Sequence, residues 1–479
     1  MTEWTNSLLT GDVRERLDDL PDDSVHMAMT SPPYFGLRDY GDETNEVWGG
    51  DDDCDHEWTD AGTVKRGGQN TDDNPPDVGG NAHAQDTGIR GDGVSSDECR
   101  KCGAWRGQLG LEPKLDRFID NLVDVFREVR RVLRPDGSAW LNLGDSYAQT
   151  GSGQPTGSYK ESTDAPEPRG DSFGRKNKML VPHRVAIALQ SDGWVVRNDV
   201  TWVKPNPMPS SVKDRLNTTT EQIFHLTPNP DYWYDLDAIR EDYAESGLQR
   251  GAYSNYSTKN RWTEKESVGN DQMEMATEPN PAGKNPGDVF EVTTKPFADA
   301  HFAVYPPELC EKPLKATCPP TVCAECGSPY EREVERTTFD AEHGVCDEQA
   351  TVDSETVAQE HADRPTNYGS TEGKNLGGRQ YRKWKANNPD EFKGWTPTCD
   401  CDTDATEPGI ALDPFAGAGT TLLKAKELGR RFVGVELNAE YADMARARIG
   451  LTPNDPANVR SDDAQQGFEA YTDGGDDAE

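Results

Sequence analysis

Long apolar runs are missing from this 479-residue chain. None approaches the ~18 residues that a bilayer span needs, and the start Met1-Thr2-Glu3-Trp4 lacks a secretion signal. The expectation is a cytoplasmic protein with no membrane partner. Basic charge is also scarce: 50 Lys+Arg against 87 Asp+Glu give a net charge of −37 and a pI near 4.5. Phosphate contacts supply most non-specific affinity for nucleic acid, so a chain built to hold DNA should be basic overall. Either nucleic acid is not the substrate, or the protein works in molar salt, where the Debye length shrinks to about 3 Å and global charge stops mattering. Acidic residues are spread through every segment rather than held in one tail, which favours a salt-adapted, halophilic enzyme. Two basic clusters stand out locally, Arg175-Lys176-Asn177-Lys178 and Arg379-Gln380-Tyr381-Arg382-Lys383-Trp384-Lys385. Each reads equally well as a solvated loop.

Cysteine is sparse but patterned, with ten in the chain. Thiols stay reduced in the cytoplasm, so metal is weighed before disulfide. Cys54-Asp55-His56 and Cys99-Arg100-Lys101-Cys102-Gly103 offer one set of ligands; Cys323-Ala324-Glu325-Cys326-Gly327 and Cys399-Asp400-Cys401 offer another. Tetrahedral zinc suits both sets, giving Cys54, His56, Cys99, Cys102, Cys323, Cys326, Cys399 and Cys401 as candidate metal ligands. Unmetallated thiols are the alternative. Cys310, Cys318 and Cys346 belong to neither set.

The stretch Thr30-Ser31-Pro32-Pro33-Tyr34 follows an apolar run and reads as a loop leaving the end of a parallel strand, where open α/β sheets bind ligands. Two prolines remove two N–H donors and stiffen a row of carbonyls. Ser31 stands before them and Tyr34 after them. Such a loop accepts hydrogen bonds from an amino group and stacks on a flat ring, as a nucleobase would require. A plain proline turn is the bland alternative.

Far downstream, Gly409-Ile410-Ala411-Leu412-Asp413-Pro414-Phe415-Ala416-Gly417-Ala418-Gly419-Thr420-Thr421 runs from strand to small-residue turn, then to a helix over 421–428 and a strand over 431–435 that ends at Glu436. This is a βαβ unit whose turn admits close approach to backbone and whose acidic end can grip a ribose diol. A dinucleotide fingerprint is incomplete, because Leu422 stands where a third glycine belongs.

Asp413 to Thr421 together with Thr30 to Tyr34 resembles the amino-group DNA methyltransferases that use S-adenosylmethionine, in the motif order of their β group. Thr10-Gly11-Asp12 resembles that group's opening segment, and residues 300–309, with Tyr305 in place of the usual phenylalanine, resemble its second cofactor segment. The resemblance implies a Rossmann-like α/β methyltransferase sheet in circularly permuted order with a target-recognition region, to which the cysteine sets add two zinc-knuckle inserts. It implies Ser31, Pro32, Pro33 and Tyr34 as catalytic residues, and Asp12, Thr30, Phe302, Asp413, Phe415, Ala416, Gly417, Gly419, Thr420 and Glu436 as S-adenosylmethionine-binding residues. Double-stranded DNA is the implied partner. A cognate restriction endonuclease, and whether the chain is a monomer or a dimer, stay open.

Serine at the head of the tetrapeptide resembles cytosine-N4 enzymes; aspartate or asparagine is more usual for adenine N6. The chain has no Pro-Cys pair, which argues against a cytosine-C5 enzyme with its cysteine nucleophile. RNA and protein-glutamine methyltransferases also use a Pro-Pro-Tyr loop, but the protein-glutamine and many RNA enzymes place the cofactor glycines first. A non-enzymatic zinc-ribbon DNA-binding protein would explain the cysteines but not Asp413 to Thr421 with Glu436.

The chain divides accordingly: a catalytic layer over 1–50, a zinc-knuckle insert over 51–110, the catalytic layer continued over 111–240, target recognition over 241–295, a cofactor segment over 296–317, a second knuckle insert over 318–404, the cofactor βαβ unit over 405–451 and a disordered acidic tail over 452–479. Within it, helices are expected over 13–20, 115–133, 182–189 and 439–449, and strands over 138–145 and 194–202. Arg134-Pro135-Asp136-Gly137 reads as the stop of the helix over 115–133. The Lys204-to-Pro209 loop beside the cleft reads as structural rather than catalytic.

Overall fold

The computed structural model describes residues 4–37, 40–41, 44–51, 53–59, 98–148, 173–174, 176–242, 283–295, 304–335 and 391–451. Phe302, the core of the target-recognition region, the basic cluster at 379–385, Cys346 and the acidic tail lie outside them. The chain forms two units: one of residues 1–234, 287–329 and 401–479, the other of 235–286 and 330–400.

The first unit is built on an eight-stranded sheet: β1 Ser7–Thr10, β2 Val25–Thr30, β3 Leu133–Leu143, β4 Val195–Val203, β5 Thr220–Thr227, β6 Val289–Glu291, β7 Ile410–Asp413 and β8 Arg431–Glu436. Their order across the sheet is β1-β8-β7-β2-β3-β5-β4-β6. The five strands from β1 to β3 are mutually parallel, whereas β5 runs antiparallel to both its neighbours. Strands from the two ends of the chain are thus interleaved, and β7 sits directly against β2 with Ala411 opposite Met27 and Leu412 opposite Ala28. Parallel strands end at one edge of the sheet, so Thr30 and Asp413 emerge side by side.

Among the described residues, six helices cover the two faces: α1 Val13–Asp18, α2 Leu115–Val132, α3 Val181–Ser191, α4 Glu308–Thr317, α5 Thr420–Glu427 and α6 Ala439–Ile449. The apolar stripe of α2, with Phe118, Leu122, Phe126 and Val129 buried, packs with α1 and α3 on one face. Leu309 and Leu314 of α4, Leu422 of α5 and Ala442 of α6 pack on the other. Alternation along β8 sends Val433 and Val435 to the first core and Phe432 to the second, as a strand covered on both faces requires. This is a Rossmann-like α/β sandwich.

α2 ends at Val132, just before Arg134-Pro135-Asp136-Gly137, but the strand expected from Ser138 starts earlier: these four residues belong to the first part of β3, which begins at Leu133 immediately after the helix. Pro135 lacks an N–H but still has a carbonyl, which accepts from Asn229 Nδ2 at 2.9 Å, so a strand start tolerates it.

The second unit contains an antiparallel pair, Tyr330–Glu335 with Glu391–Pro397, bulged between Glu333 and Val334. Arg332 lies over the rings of Phe392 and Trp395 and pairs with Asp235 at 2.6 Å.

Candidate active site

The floor of the site is a buried carboxylate. Asp413, at the end of β7, accepts from Thr30 Oγ1 at 2.7 Å, Tyr305 OH at 3.0 Å and the Phe415 N–H at 3.2 Å. Tyr305 OH also bonds Thr421 Oγ1, whose hydroxyl reaches the Met29 carbonyl at 3.2 Å. Burial raises the Asp413 pKa, opposed by those donors. The tyrosine that replaces the usual phenylalanine therefore has work for its hydroxyl: it ties the segment before α4 to β7.

Above this floor, the backbone turns through Gly417 and Gly419, both at positive φ, +51° and +71°. A Cβ on Gly419 would fall 2.8 Å from Ile449 Cδ1, so this glycine lets α5 and α6 close together. A Cβ on Gly417 would meet nothing within 4 Å; it faces the cavity. Glu436, at the tip of β8, accepts from the Gly417 N–H at 2.8 Å and the Asn438 N–H at 2.9 Å. Burial, outweighing those donors, pushes its carboxyl up to about 6.

The opposite wall is the proline loop. The Tyr34 hydroxyl donates to Glu221 Oε2 at 2.9 Å and accepts from Asn142 Nδ2 at 2.9 Å and Ser31 Oγ at 3.1 Å. Lys204 pairs with the other oxygen of Glu221. The Tyr34 ring lies so close over the backbone of Gly144 that a Cβ there would come within 2.5 Å of it. Burial holds the Tyr34 phenol well above its usual pKa, so it stays protonated at any working pH.

A cavity of about 190 Å³ joins these parts, lined among others by Ser31, Pro33, Phe415, Gly417 and Glu436. Asp12, Ala416 and Thr420 also line it, whereas Thr30 and Asp413 lie beneath it. Asp12 is more committed than the sequence suggests: it caps α1 through the Arg14 N–H at 2.7 Å and pairs with the Arg14 guanidinium at 2.5 Å.

Sequence reasoning missed Asn142 and Glu221. The only signal for Glu221 is an acid at the start of an otherwise sheet-like run, with a lysine across the preceding loop. Lys204, in the loop expected to be structural, pairs with the carboxylate that holds Tyr34. Tyr34, which the sequence offers as part of a loop that stacks on a flat ring, is also anchored by Glu221 and Asn142.

Of the candidate metal ligands, Cys54, His56, Cys99 and Cys102 converge, with ligand atoms within 4.8 Å of one another. Cys54 and Cys99 sulfurs stand 3.8 Å apart and Cys102 Sγ 3.4 Å from His56 Nδ1. The N–H groups of Glu57 and Lys101 point at Cys99 Sγ, each at 3.4 Å, as suits a thiolate. In the same unit, Cys323, Cys326 and Cys401 also lie within 4.8 Å of one another; Cys399 belongs to the second unit. Cys310 and Cys318 are buried core thiols, with Cys318 pushed up to about 12 by burial.

The N6_N4_Mtase family model, described as DNA methylase, matches residues 25–323 and 404–447. The type II methyltransferase M.Cfr9I of Citrobacter freundii is 32% identical over 92% of this chain and 87% of its own length. The type II methyltransferase M.SfiI of Streptomyces fimbriatus is 30% identical over 91% of this chain and 89% of its own. Among solved structures, the PvuII DNA methyltransferase (cytosine-N4-specific) aligns with 94% of this chain and 88% of that one, at 12% identity and a TM-score of 0.41.

Proposed function

The chain belongs to the N6/N4 DNA methylase family, and from that premise we propose that it moves the methyl group of S-adenosylmethionine to the exocyclic amine of a base flipped out of double-stranded DNA, at cytosine N4. The observation that carries this reading is that the Gly417 turn and, from the opposite end of the chain, Ser31 and Pro33 of the Ser-Pro-Pro-Tyr loop line one cavity, with Pro32 and Tyr34 behind them in the same loop. The strand order, with β7 and β8 inserted between β1 and β2, supports a permuted methyltransferase sheet.

S-adenosylmethionine supplies the electrophilic methyl. The residues that would hold it are Asp12, Phe415, Ala416, Gly417, Gly419, Thr420 and Glu436, with Thr30 and Asp413 fixing the strand tips; Phe302 lies outside the described residues. The donor set fits: Gly417 faces open space, and Glu436 presents a carboxylate at the cavity wall where a diol would donate. Ser31 and the Pro32 carbonyl would accept from the amine, and Tyr34 would stack on the base. Direct displacement needs alignment more than acid or base, and positioning supplies on the order of 7–11 kcal/mol. Tyr34, held protonated by burial, serves as ring and anchor, not base.

Ser31 at the head of the loop favours cytosine; adenine N6 is the second reading, and the serine is what separates them. Zinc at Cys54, His56, Cys99 and Cys102, and a second at Cys323, Cys326 and Cys401, suits the thiol and imidazole donors. The names of M.Cfr9I and M.SfiI as type II methyltransferases support a place beside a restriction endonuclease. The net charge of −37 supports work in concentrated salt. No helix among the described residues is long and apolar enough to cross a membrane.

Calorimetric titration with S-adenosylmethionine in high salt tests the reading. Stoichiometric binding is expected; the absence of any heat, repeated by equilibrium dialysis, would return the chain to a DNA-binding role without chemistry.

A further inference from the structure

We propose that the Cys54/His56/Cys99/Cys102 cluster is a cation-operated clamp on the cofactor cavity: occupancy by zinc sets the affinity for S-adenosylmethionine. This rests on the cofactor reading above and adds a control that reading does not require.

Besides the glycine turn and proline loop, the cavity is lined by Tyr40, Thr44, Glu46, Trp48, Gln108 and Leu109. These come from two short stretches separated by the cysteine-bracketed insert. Glu46–Trp48 pairs antiparallel with Trp105–Gly107, and a two-stranded ribbon this short is at best marginal by itself. Its ends run directly into the cluster. Cys54 follows Trp48 after a turn at Gly49 and Gly50, and Cys102 precedes Trp105 by three positions.

The turn is pressed onto the ligand set: a Cβ on Gly50 would lie 2.8 Å from Cys102 Sγ and 2.6 Å from Ala104 Cβ. The Cys99 N–H donates to the Ala104 carbonyl at 2.7 Å, fixing the cluster to the chain that enters the ribbon. From the ribbon, contacts pass to both substrate walls. Trp48 Nε1 donates to the Gly107 carbonyl at 3.0 Å, and Arg14, paired with Asp12, donates to the Val47 carbonyl at 2.8 Å while stacking on Trp48 at 4.1 Å. Gly110 accepts from the Gly36 N–H at 2.7 Å, and a Cβ on Gly110 would lie 3.0 Å from the Tyr34 carbonyl.

The cluster is therefore the tie that holds together two stretches forming one side of the cavity. Bound zinc would be held by Cys54, His56, Cys99 and Cys102 in place of the weak thiol and imidazole contacts between them, with the thiols giving up protons. Ordering the ribbon before the cofactor arrives removes an entropic cost from cofactor binding. Linkage makes the effect reciprocal: the cofactor must tighten zinc by the same factor.

The test uses the full chain with zinc bound. Zinc release to a chromogenic chelator is followed with and without saturating S-adenosylmethionine, and the cofactor's dissociation constant is measured for wild type and Cys102→Ser. The clamp predicts that the cofactor slows one release phase at least tenfold, that this responsive phase is missing in Cys102→Ser, and that the variant binds the cofactor at least tenfold more weakly with unchanged far-ultraviolet dichroism. Release indifferent to the cofactor in a wild type that binds it would overturn the clamp and leave the cofactor reading intact. A zinc-loaded wild type that binds no cofactor would overturn both. Should Cys102→Ser not fold, the wild-type release measurement decides alone.

Discussion

The Tyr34 hydroxyl donates to the Glu221 carboxylate at 2.9 Å across 187 residues of sequence. Lys204 and Asn142 occupy the rest of that carboxylate's surroundings, so the ring proposed to stack on the flipped base is fixed from its far end.

Replacing Tyr34 separates the ring from its anchor. Tyr34→Ala is expected to reduce methyl transfer at least a hundredfold while the cofactor dissociation constant stays within about threefold, because the cofactor wall is built elsewhere. Tyr34→Phe keeps the ring and strands the Glu221 and Asn142 partners, a loss of about 1–3 kcal/mol read as a roughly tenfold lower rate. Equal losses of rate and cofactor affinity in Tyr34→Ala would mean that the assigned role is wrong.

Asp413 joins three donors from three segments. Asp413→Ala takes this acceptor from Thr30 and Phe415, while Tyr305 keeps Thr421 as a partner, and a loss of stability on the order of 2 kcal/mol follows from about 1 kcal/mol for each stranded donor. Urea unfolding measures it. A loss below about 1 kcal/mol would show that the triad carries no stability.

The two turn glycines should fail differently. Gly417→Ala places a side chain at φ +51° in open space facing the cavity; left-handed backbone costs about 1–2 kcal/mol of fold stability, and the methyl group facing the cavity should lower cofactor affinity severalfold as well. Gly419→Val drives methyl groups into Ile449 and Ala445, and overpacking of about 1–3 kcal/mol, added to the same backbone cost, should lower the unfolding midpoint further. The same loss of midpoint in both variants would contradict the division.

How much of this was legible beforehand follows from how each part is encoded. The βαβ unit at Ile410 to Glu436 and the stripe of α2 were readable because periodicity and turn chemistry are local. The neighbouring placement of β2 and β7 was implied only by the motif order, since strand pairing between chain ends leaves no local signal, and the Thr30–Asp413 hydrogen bond that results was not foreseen. Asn142 and Glu221 were invisible for a plainer reason: each is one polar residue in a strand, and its role exists only once β3 and β5 lie beside β2. The strand start at Leu133 was misread because Pro135 and Gly137 are turn formers, and the sheet overrode them.

Acid stability divides two pairs of buried groups. His26 and His225, lowered by burial from 6.5 to about 4 and about 3, are neutral in the fold and protonated when unfolded, so their contribution is lost as pH falls below about 6.5. Glu112 and Glu436, raised by burial to about 7 and about 6, work the other way: acidification from neutral relieves their buried charge. Between pH 7 and 5 the two pairs oppose each other. Glu112→Gln removes one relieving group and should make urea stability fall more steeply across that range, by about 2 kcal/mol. An unchanged pH profile would contradict the assignment of Glu112 as a buried, raised carboxyl.

The central claim is that two chain ends meet to carry a methyl group to an amine on cytosine. Nucleoside mass spectrometry of duplex DNA incubated with the enzyme and isotope-labelled S-adenosylmethionine tests it most directly. The account predicts labelled N4-methylcytosine; label on adenine N6 would refute the choice of base, and label on cytosine C5, or on no nucleoside at all, would contradict the chemistry itself.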